Sequence, residues 1–175
     1  MLASDGWTAG SDGILAKNGT KLSFAIDWFA NYAPNQPSLE LIQQQLKAVG
    51  IDVQLNELQI ADVAKVQQSG NFDALWGNLT RADPDILRSQ YSTKGANVYR
   101  FAAGPLDDLL AQQAASADAA KRQDLVSQIQ QQIVTNAYVV PVFELQSVLG
   151  ISPKVHDLNF DASSRIQLHD TWIDN

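Results

Sequence analysis

Between Lys21 and Leu79 the apolar residues switch repeatedly between a two-residue and a helical period, and this alternation limits the fold more than any other feature. From Lys21 to Phe29, Leu22, Phe24 and Ile26 alternate with Lys21, Ser23, Ala25 and Asp27, as in a strand with two distinct faces. Ser38 then predicts a helix cap with Glu40 in the first turn. Leu39, Ile42, Leu46 and Val49 give that helix one apolar face before Gly50 ends it. Ile51, Val53 and Leu55 alternate with Asp52, Gln54 and Asn56 in a second strand. A shorter helix over about Ala61 to Ser69 presents Val63 and Val66 and stops at Gly70, and Phe72 to Leu79 reads as a third, more buried strand. Strand, helix, strand, helix, strand predicts an α/β fold: a mostly parallel central sheet, right-handed crossovers and helices on both faces.

The flanking segments are read the same way. Residues 6–20 are dense in turn formers, with Gly6, Gly10, Gly13 and Gly19 among them, and predict a tight turn or small hairpin. No Gly-Lys-Ser/Thr follows these glycines, so a phosphate loop is not indicated. Downstream, Asp83 suits the N-cap and Pro84 the first position of a helix running to about Tyr91. Ser92 to Asn97 is loop. A helix opens at Pro105 with Leu106, Leu109 and Leu110 inward, and another spans about Asp118 to Asn136 with Leu125, Ile129 and Ile133 at helical spacing. Gln128, Gln130, Gln131 and Gln132 fall on its solvated face. Tyr138 to Phe143 reads as a strand that Pro141 confines to an edge or a bulge, with Val148 to Ile151 continuing it or pairing with it. After Pro153, Leu158, Phe160, Ile166, Leu168 and Trp172 are too apolar for a free tail and need a surface to pack on, inside or outside this chain.

The 175 residues, 45% apolar and 18% charged, can bury about 70% of the unfolded surface around one core, so one domain is the default. A net charge of −7 with no basic cluster argues against nucleic-acid and anionic-membrane partners. The absence of cysteine excludes a thiol nucleophile, a structural zinc site and a disulfide frame. No run approaches the ~20 apolar residues of a membrane span. Met1 to Asp5 lacks the charged and apolar regions of a secretory signal, and Met1 is the sole methionine, so the expectation is a piece cut from something larger.

Function concentrates around Trp76-Gly77-Asn78 and Thr80-Arg81-Ala82-Asp83-Pro84-Asp85-Ile86-Leu87-Arg88. An apolar strand, a polar turn with an aromatic residue and charges, then Asp-Pro at a helix start is where an α/β sheet offers polar groups to a ligand. A small-molecule or peptide cleft is therefore the first hypothesis. Arg81 can bind a ligand carboxylate or join an ion pair, and Trp76 can stack on ligand or fill the core. Trp28, Asn31 and Tyr32 follow the first strand at the same sheet edge. Asp83 and Asp85 would diverge at a helix start, a poor arrangement for an acid and base flanking one bond. His156 and His169 have no spaced partner of a metal or triad site. No catalytic residue, metal ligand set or cofactor is implied.

Taken in order, these segments resemble the C-terminal lobe of the family 5 extracellular solute-binding proteins, the oligopeptide-, dipeptide- and nickel-binding subunits of ABC importers. The resemblance rests on Leu2 to Trp7 with Gly10 to Ile14 and Lys17-Asn18-Gly19, on Leu41 to Val53, and on Gly70 to Leu75. It continues through Ala82-Asp83-Pro84-Asp85, Asn97, Tyr99 and Phe101 with Pro105 to Leu110, Ala119 with Lys121-Arg122, and Ala137 to Val142. It implies that residues 1–153 form a periplasmic-binding-protein-like lobe and that 154–175 cross back to an N-terminal lobe absent from this sequence. It further implies a monomeric, periplasmic or extracellular protein, lipoprotein-anchored at full length, that hands a peptide or small molecule to an ABC importer permease. In the peptide-binding members an aspartate of the Ala-Asp turn pairs with the ligand's α-amino group, and Asp83 matches it. Asn97 and Tyr99 lie where the family's loop lines the cleft, and Phe101 is expected to be structural. The chain departs from the peptide-binding pattern in having Leu79-Thr80-Arg81 before Ala82-Asp83, where those members often carry a tryptophan. That leaves sugars, opines and metal chelates open as cargo. The rival readings are a stand-alone α/β interaction module whose tail docks a protein, and a hydrolase.

Overall fold

The computed structural model describes residues 1–78, 81–144 and 148–174, and the chain divides into two units, Met1–Asn78 and Leu79–Asn175. In the first unit, three short strands, β1 (Thr8–Ala9), β2 (Leu15–Lys17) and β3 (Thr20–Lys21), pair antiparallel in that order, as the turn-rich composition requires. There follow β4 (Ser23–Trp28), α1 (Asn35–Ala48), β5 (Asp52–Glu57), α2 (Ile60–Ser69) and β6 (Ala74–Leu75). Their sheet has the order β5-β4-β6, with both pairings parallel. The parallel α/β architecture is thus the one predicted from the period switches.

Burial along β4 does not alternate, because a central parallel strand is covered on both faces. Ile26, Asp27 and Trp28 are all buried. Ile26 and Trp28 pack with Leu39 and Val53, and Phe24, Leu46, Ile51, Leu55 and Trp76 close around them. The Asp27 carboxylate accepts from Asn56 Nδ2 on β5 at 3.1 Å.

Three details in this unit differ from the sequence reading. Helix α1 begins at Asn35 rather than at a Ser38 cap. The buried Asn35 amide donates to Asn31 Oδ1 at 2.8 Å and to the Phe29 carbonyl at 3.3 Å, which turns the chain earlier, and Pro37 falls in the first turn, where no N–H is needed. Val49 lies past the helix end and is 58% exposed, so the apolar stripe stops at Leu46. The third strand pairs only at Ala74–Leu75, because its register sets Leu75 opposite Asp27 and β4 ends one residue later. Leu79, its expected end, lies outside the described residues. Gly50 joins the antiparallel strands to the α1 terminus. It has φ +84°, its carbonyl accepts from Leu15 N–H at 2.8 Å, and an added Cβ would sit 2.8 Å from Leu15 Cγ.

The second unit contains α3 (Ile86–Tyr91), α4 (Pro105–Ala115) and α5 (Ala119–Thr135). Tyr91, Leu110, Ile129 and Ile133 form its core, flanked by Leu87, Tyr99, Phe101, Leu106, Leu109 and Val139. Pro105 opens α4 and α5 starts beside Asp118, both as predicted; Asp118 caps α5 by accepting from Lys121 N–H at 2.8 Å. Helix α3, by contrast, begins at Ile86 and not at Asp83-Pro84.

The expected strands at Tyr138 to Phe143 and Val148 to Ile151 do not form. Tyr138 instead stacks on Phe101 with ring centroids 4.2 Å apart, while Val140, Val142, Phe143 and Val148 are exposed. Beyond them, β7 (Val155–His156) pairs antiparallel with β10 (Trp172–Ile173), and β8 (Asn159–Phe160) with β9 (Ile166–Gln167). Phe160, Ile166, Leu168 and Trp172 remain exposed on these ribbons.

Candidate functional site

The turn that opens α3 is held by a chain of polar contacts reaching into the core of the second unit. Asp83 Oδ1 accepts the Asp85 N–H at 2.8 Å, closing a turn in which the aspartate braces the backbone one step ahead of the helix. The same oxygen accepts from Arg122 Nη2 at 2.5 Å, an ion pair between this turn and α5. Asp85 is gripped by the Arg88 fork, Nε on Oδ1 at 2.8 Å and Nη2 on Oδ2 at 2.6 Å. Gln113 Nε2 also donates to Asp85 Oδ1, at 2.7 Å, and Gln113 Oε1 accepts from Arg122 Nε at 3.3 Å.

Two carboxylates and two guanidiniums are thus linked through one fully buried amide. The Asp85 N–H, and then Arg122, hold the Asp83 carboxyl below the usual carboxylate range. Arg88 does the same for Asp85, aided by Gln113 and opposed by partial burial. Both aspartates are therefore charged at neutral pH. The Asp83 side chain is nevertheless 64% exposed, and its Oδ2 has no hydrogen-bond partner among the described residues.

The other candidate residues divide between the two units. Arg81 is exposed, and Thr80 lies outside the described residues. Asn97, at φ +40°, spends its side chain on the loop itself: Nδ2 donates to the Phe101 carbonyl at 3.0 Å and Oδ1 accepts the Phe101 N–H at 2.9 Å. Tyr99 stacks on Tyr91 and Phe101, and burial pushes its hydroxyl pKa up. Phe101 is structural, as expected.

In the first unit, the loop after β4 borders an open cavity of about 340 Å³ lined by Trp28, Ala30, Asn31, Tyr32, Ala33 and Gln36. Among the described residues, no charged group lines it. The cavity lies at the carboxyl end of the central strand, where the connections from β4 and β5 lead to opposite sides, the usual ligand position in an open α/β sheet. Trp28 is buried and belongs mainly to the core, whereas Tyr32 is exposed at the cavity. Trp76 packs against the same core, its backbone N–H donating to the Asp27 carbonyl at 2.8 Å, and Asn78 is exposed.

Gln113 and the Asp83 partnership of Arg122 escaped the sequence reading. A signal for Gln113 was present, since it continues the inward stripe of Leu106, Leu109 and Leu110 at helical spacing, and a polar residue on a core stripe needs partners. Among the described residues, no group of three or more His, Cys, Asp or Glu side chains converges as a metal site, and no helix is long and apolar enough to cross a membrane.

The parallel sheet, its crossover helices and the polar turn beyond the third strand define a periplasmic-binding-protein-like α/β chain. Residues 1–101 match the profile of the bacterial extracellular solute-binding proteins, family 5 middle, and the chain belongs to that family. The oligopeptide-binding protein AppA of Bacillus subtilis strain 168 is 31% identical over 117 residues, covering 63% of this chain and 22% of that protein. The structure of NikA from Brucella suis in complex with Fe(III)-EDTA superposes with a TM-score of 0.82 and 25% identity over 99% of this chain and 36% of NikA. The structure of B. subtilis AppA with a nonapeptide superposes with a TM-score of 0.68 and 22% identity, again over 99% of this chain and 36% of the other. The chain therefore spans well under half the length of these relatives.

Proposed function

We propose that this chain is a ligand-binding lobe of a longer exported solute-binding protein, that its cargo is peptide, and that Asp83 pairs with the cargo's α-amino group. The observation that carries this reading is the state of the Asp83 carboxylate: ionised, exposed, fixed through Oδ1 and, among the described residues, without a partner at Oδ2. An ammonium placed there gains a charge-assisted hydrogen bond, one of the stronger contacts a binding site can offer. The oligopeptide-binding relative, solved with a nonapeptide, supports the cargo class.

On this reading Asp83 and the exposed Arg81 of the second unit contribute to ligand contact, and Tyr32 and Asn78 are exposed candidates within the first unit. The lobe closes with a partner lobe around cargo and does no chemistry, and an ABC permease and its ATPase supply transport. The protein works as a monomer in the periplasm or outside the cell, anchored as a lipoprotein. The exposed apolar side chains in the segment from Lys154 onward suit a return to a partner lobe.

A second reading, an anionic metal chelate as cargo, is favoured by the NikA match, whose TM-score of 0.82 exceeds the 0.68 of AppA. Arg81 would then meet the chelate's carboxylates.

Calorimetry separates the two on the protein expressed from its complete gene. The peptide reading expects a nonapeptide with a free amino terminus to bind about ten- to a hundredfold tighter than its N-acetylated form. Equal affinity for the two peptides overturns the role of Asp83. Binding of Fe(III)-EDTA with no peptide binding establishes the second reading.

A further inference from the structure

We infer that Gln113 and Arg122 are positioning residues for Asp83, and that this pair, built into the helical core, sets how sharply the turn distinguishes a charged amino terminus from a neutral one. The inference rests on the reading of Asp83 given above.

Gln113 is fully buried on the inward stripe of α4, where a leucine would pack without polar cost. A buried amide is tolerated only when its donors and acceptor are engaged. Here Nε2 donates to Asp85 and Oε1 accepts from Arg122, and among the described residues no buried side-chain nitrogen or oxygen lacks a partner. The amide therefore ties Asp85 of the turn and Arg122 of α5 to α4 at once.

The guanidinium carries this constraint to Asp83. Its planar fork means that fixing Nε fixes the direction of Nη2. Gln113 meets Nε at 3.3 Å, and Nη2 meets Asp83 Oδ1 at 2.5 Å. With Oδ1 also holding the Asp85 N–H, the plane of the carboxylate is set and Oδ2 is presented in one orientation. Arg122 also acts as a resident counter-charge, so an incoming ammonium shares the carboxylate instead of neutralising it alone. Lysine at this position would keep the charge but lose the fork.

Two variants and two readouts test this in the protein expressed from its complete gene. Gln113→Met keeps length and removes both hydrogen bonds; Arg122→Lys, at a partly exposed site, keeps charge and fold. The first readout is the ratio of affinities for a nonapeptide with a free and with an acetylated amino terminus. The second is the titration of the Asp83 carboxyl carbon by NMR, which needs no ligand. The ratio is expected to fall by about tenfold in each variant, the acetylated peptide binding as before, while the Asp83 titration moves up toward its ordinary value.

General destabilisation would reduce the binding-competent fraction for both peptides alike and leave the ratio unchanged. An unchanged ratio in folded variants of a wild type that discriminates overturns the inference. If the wild type binds both peptides equally, the reading of Asp83 and the specificity claim fail together; the titration then decides the positioning claim, which an unmoved Asp83 overturns. If Gln113→Met does not fold, Arg122→Lys carries both readouts.

Discussion

Thr93 closes on Asp107 twice, its backbone N–H meeting Oδ1 at 2.8 Å and its hydroxyl meeting Oδ2 at 2.8 Å. Ser92 Oγ adds a third bond to Oδ1 at 2.9 Å, so one carboxylate in the first turn of α4 gathers the loop that leaves α3. Burial alone would raise the Asp107 pKa, but the bonds from Thr93 and Ser92 outweigh it and hold the group below its ordinary value. Asp107→Ala should lower unfolding free energy by about 1–3 kcal/mol in urea titrations. Asp107→Asn, which keeps one acceptor oxygen, should cost less. An alanine variant as stable as wild type would show that this loop is held by other contacts.

Acid should destabilise the second unit through a defined set of groups. Asp83, Asp85 and Asp107 all ionise in the folded chain below their ordinary 3.8. Their contribution is complete above the unfolded value and is lost as pH falls from there through the depressed folded values. At the alkaline end the sign reverses. Burial, with Tyr99 adding, pushes Tyr91 from 10.0 up to about 12, so the folded chain favours the neutral phenol. Its contribution is complete below 10.0 and is lost as pH rises from there toward about 12. Unfolding midpoints measured across the pH range should fall at both ends, and Tyr91→Phe should flatten only the alkaline limb.

Helix α5 offers a direct contrast between its two faces. Ile129 is fully buried, whereas Val134 on the same helix is 51% exposed. Ile129→Ala should cost about 2–5 kcal/mol, and Leu110→Ala, its fully buried counterpart on α4, a similar amount. Val134→Ala should stay within about 0.5 kcal/mol of wild type. Equal losses at Ile129 and Val134 would contradict the assignment of the inward face.

Much of this architecture was legible in the sequence because one physical rule dominates each segment. Leu125, Ile129 and Ile133 recur at a period only a helix satisfies, and Pro105 and Asp118 mark helix starts by what their backbone and side chain can do. The resemblance to the solute-binding family likewise rested on motifs in register. Failures occurred where a tertiary partner decides. Tyr138 to Phe143 has strand composition, yet the Tyr138 ring finds Phe101 and the segment pairs with no strand among the described residues. Asp83-Pro84 has the form of a helix start, but Arg122, distant in sequence, shares the carboxylate and the helix opens at Ile86. Local spacing also says nothing of Gln113 bridging Asp85 and Arg122, since both contacts depend on how α4 packs.

Native mass spectrometry of the protein expressed from its complete gene shows whether Asp83 receives the amino terminus of a peptide. Wild type and Asp83→Asn would be purified without denaturation and compared for co-purified cargo. Peptide masses are expected on wild type and lost from the variant, with both proteins folded. Cargo that is not peptide, or peptide retained equally by both proteins, would contradict this role and leave Asp83 as a brace for the turn that opens α3.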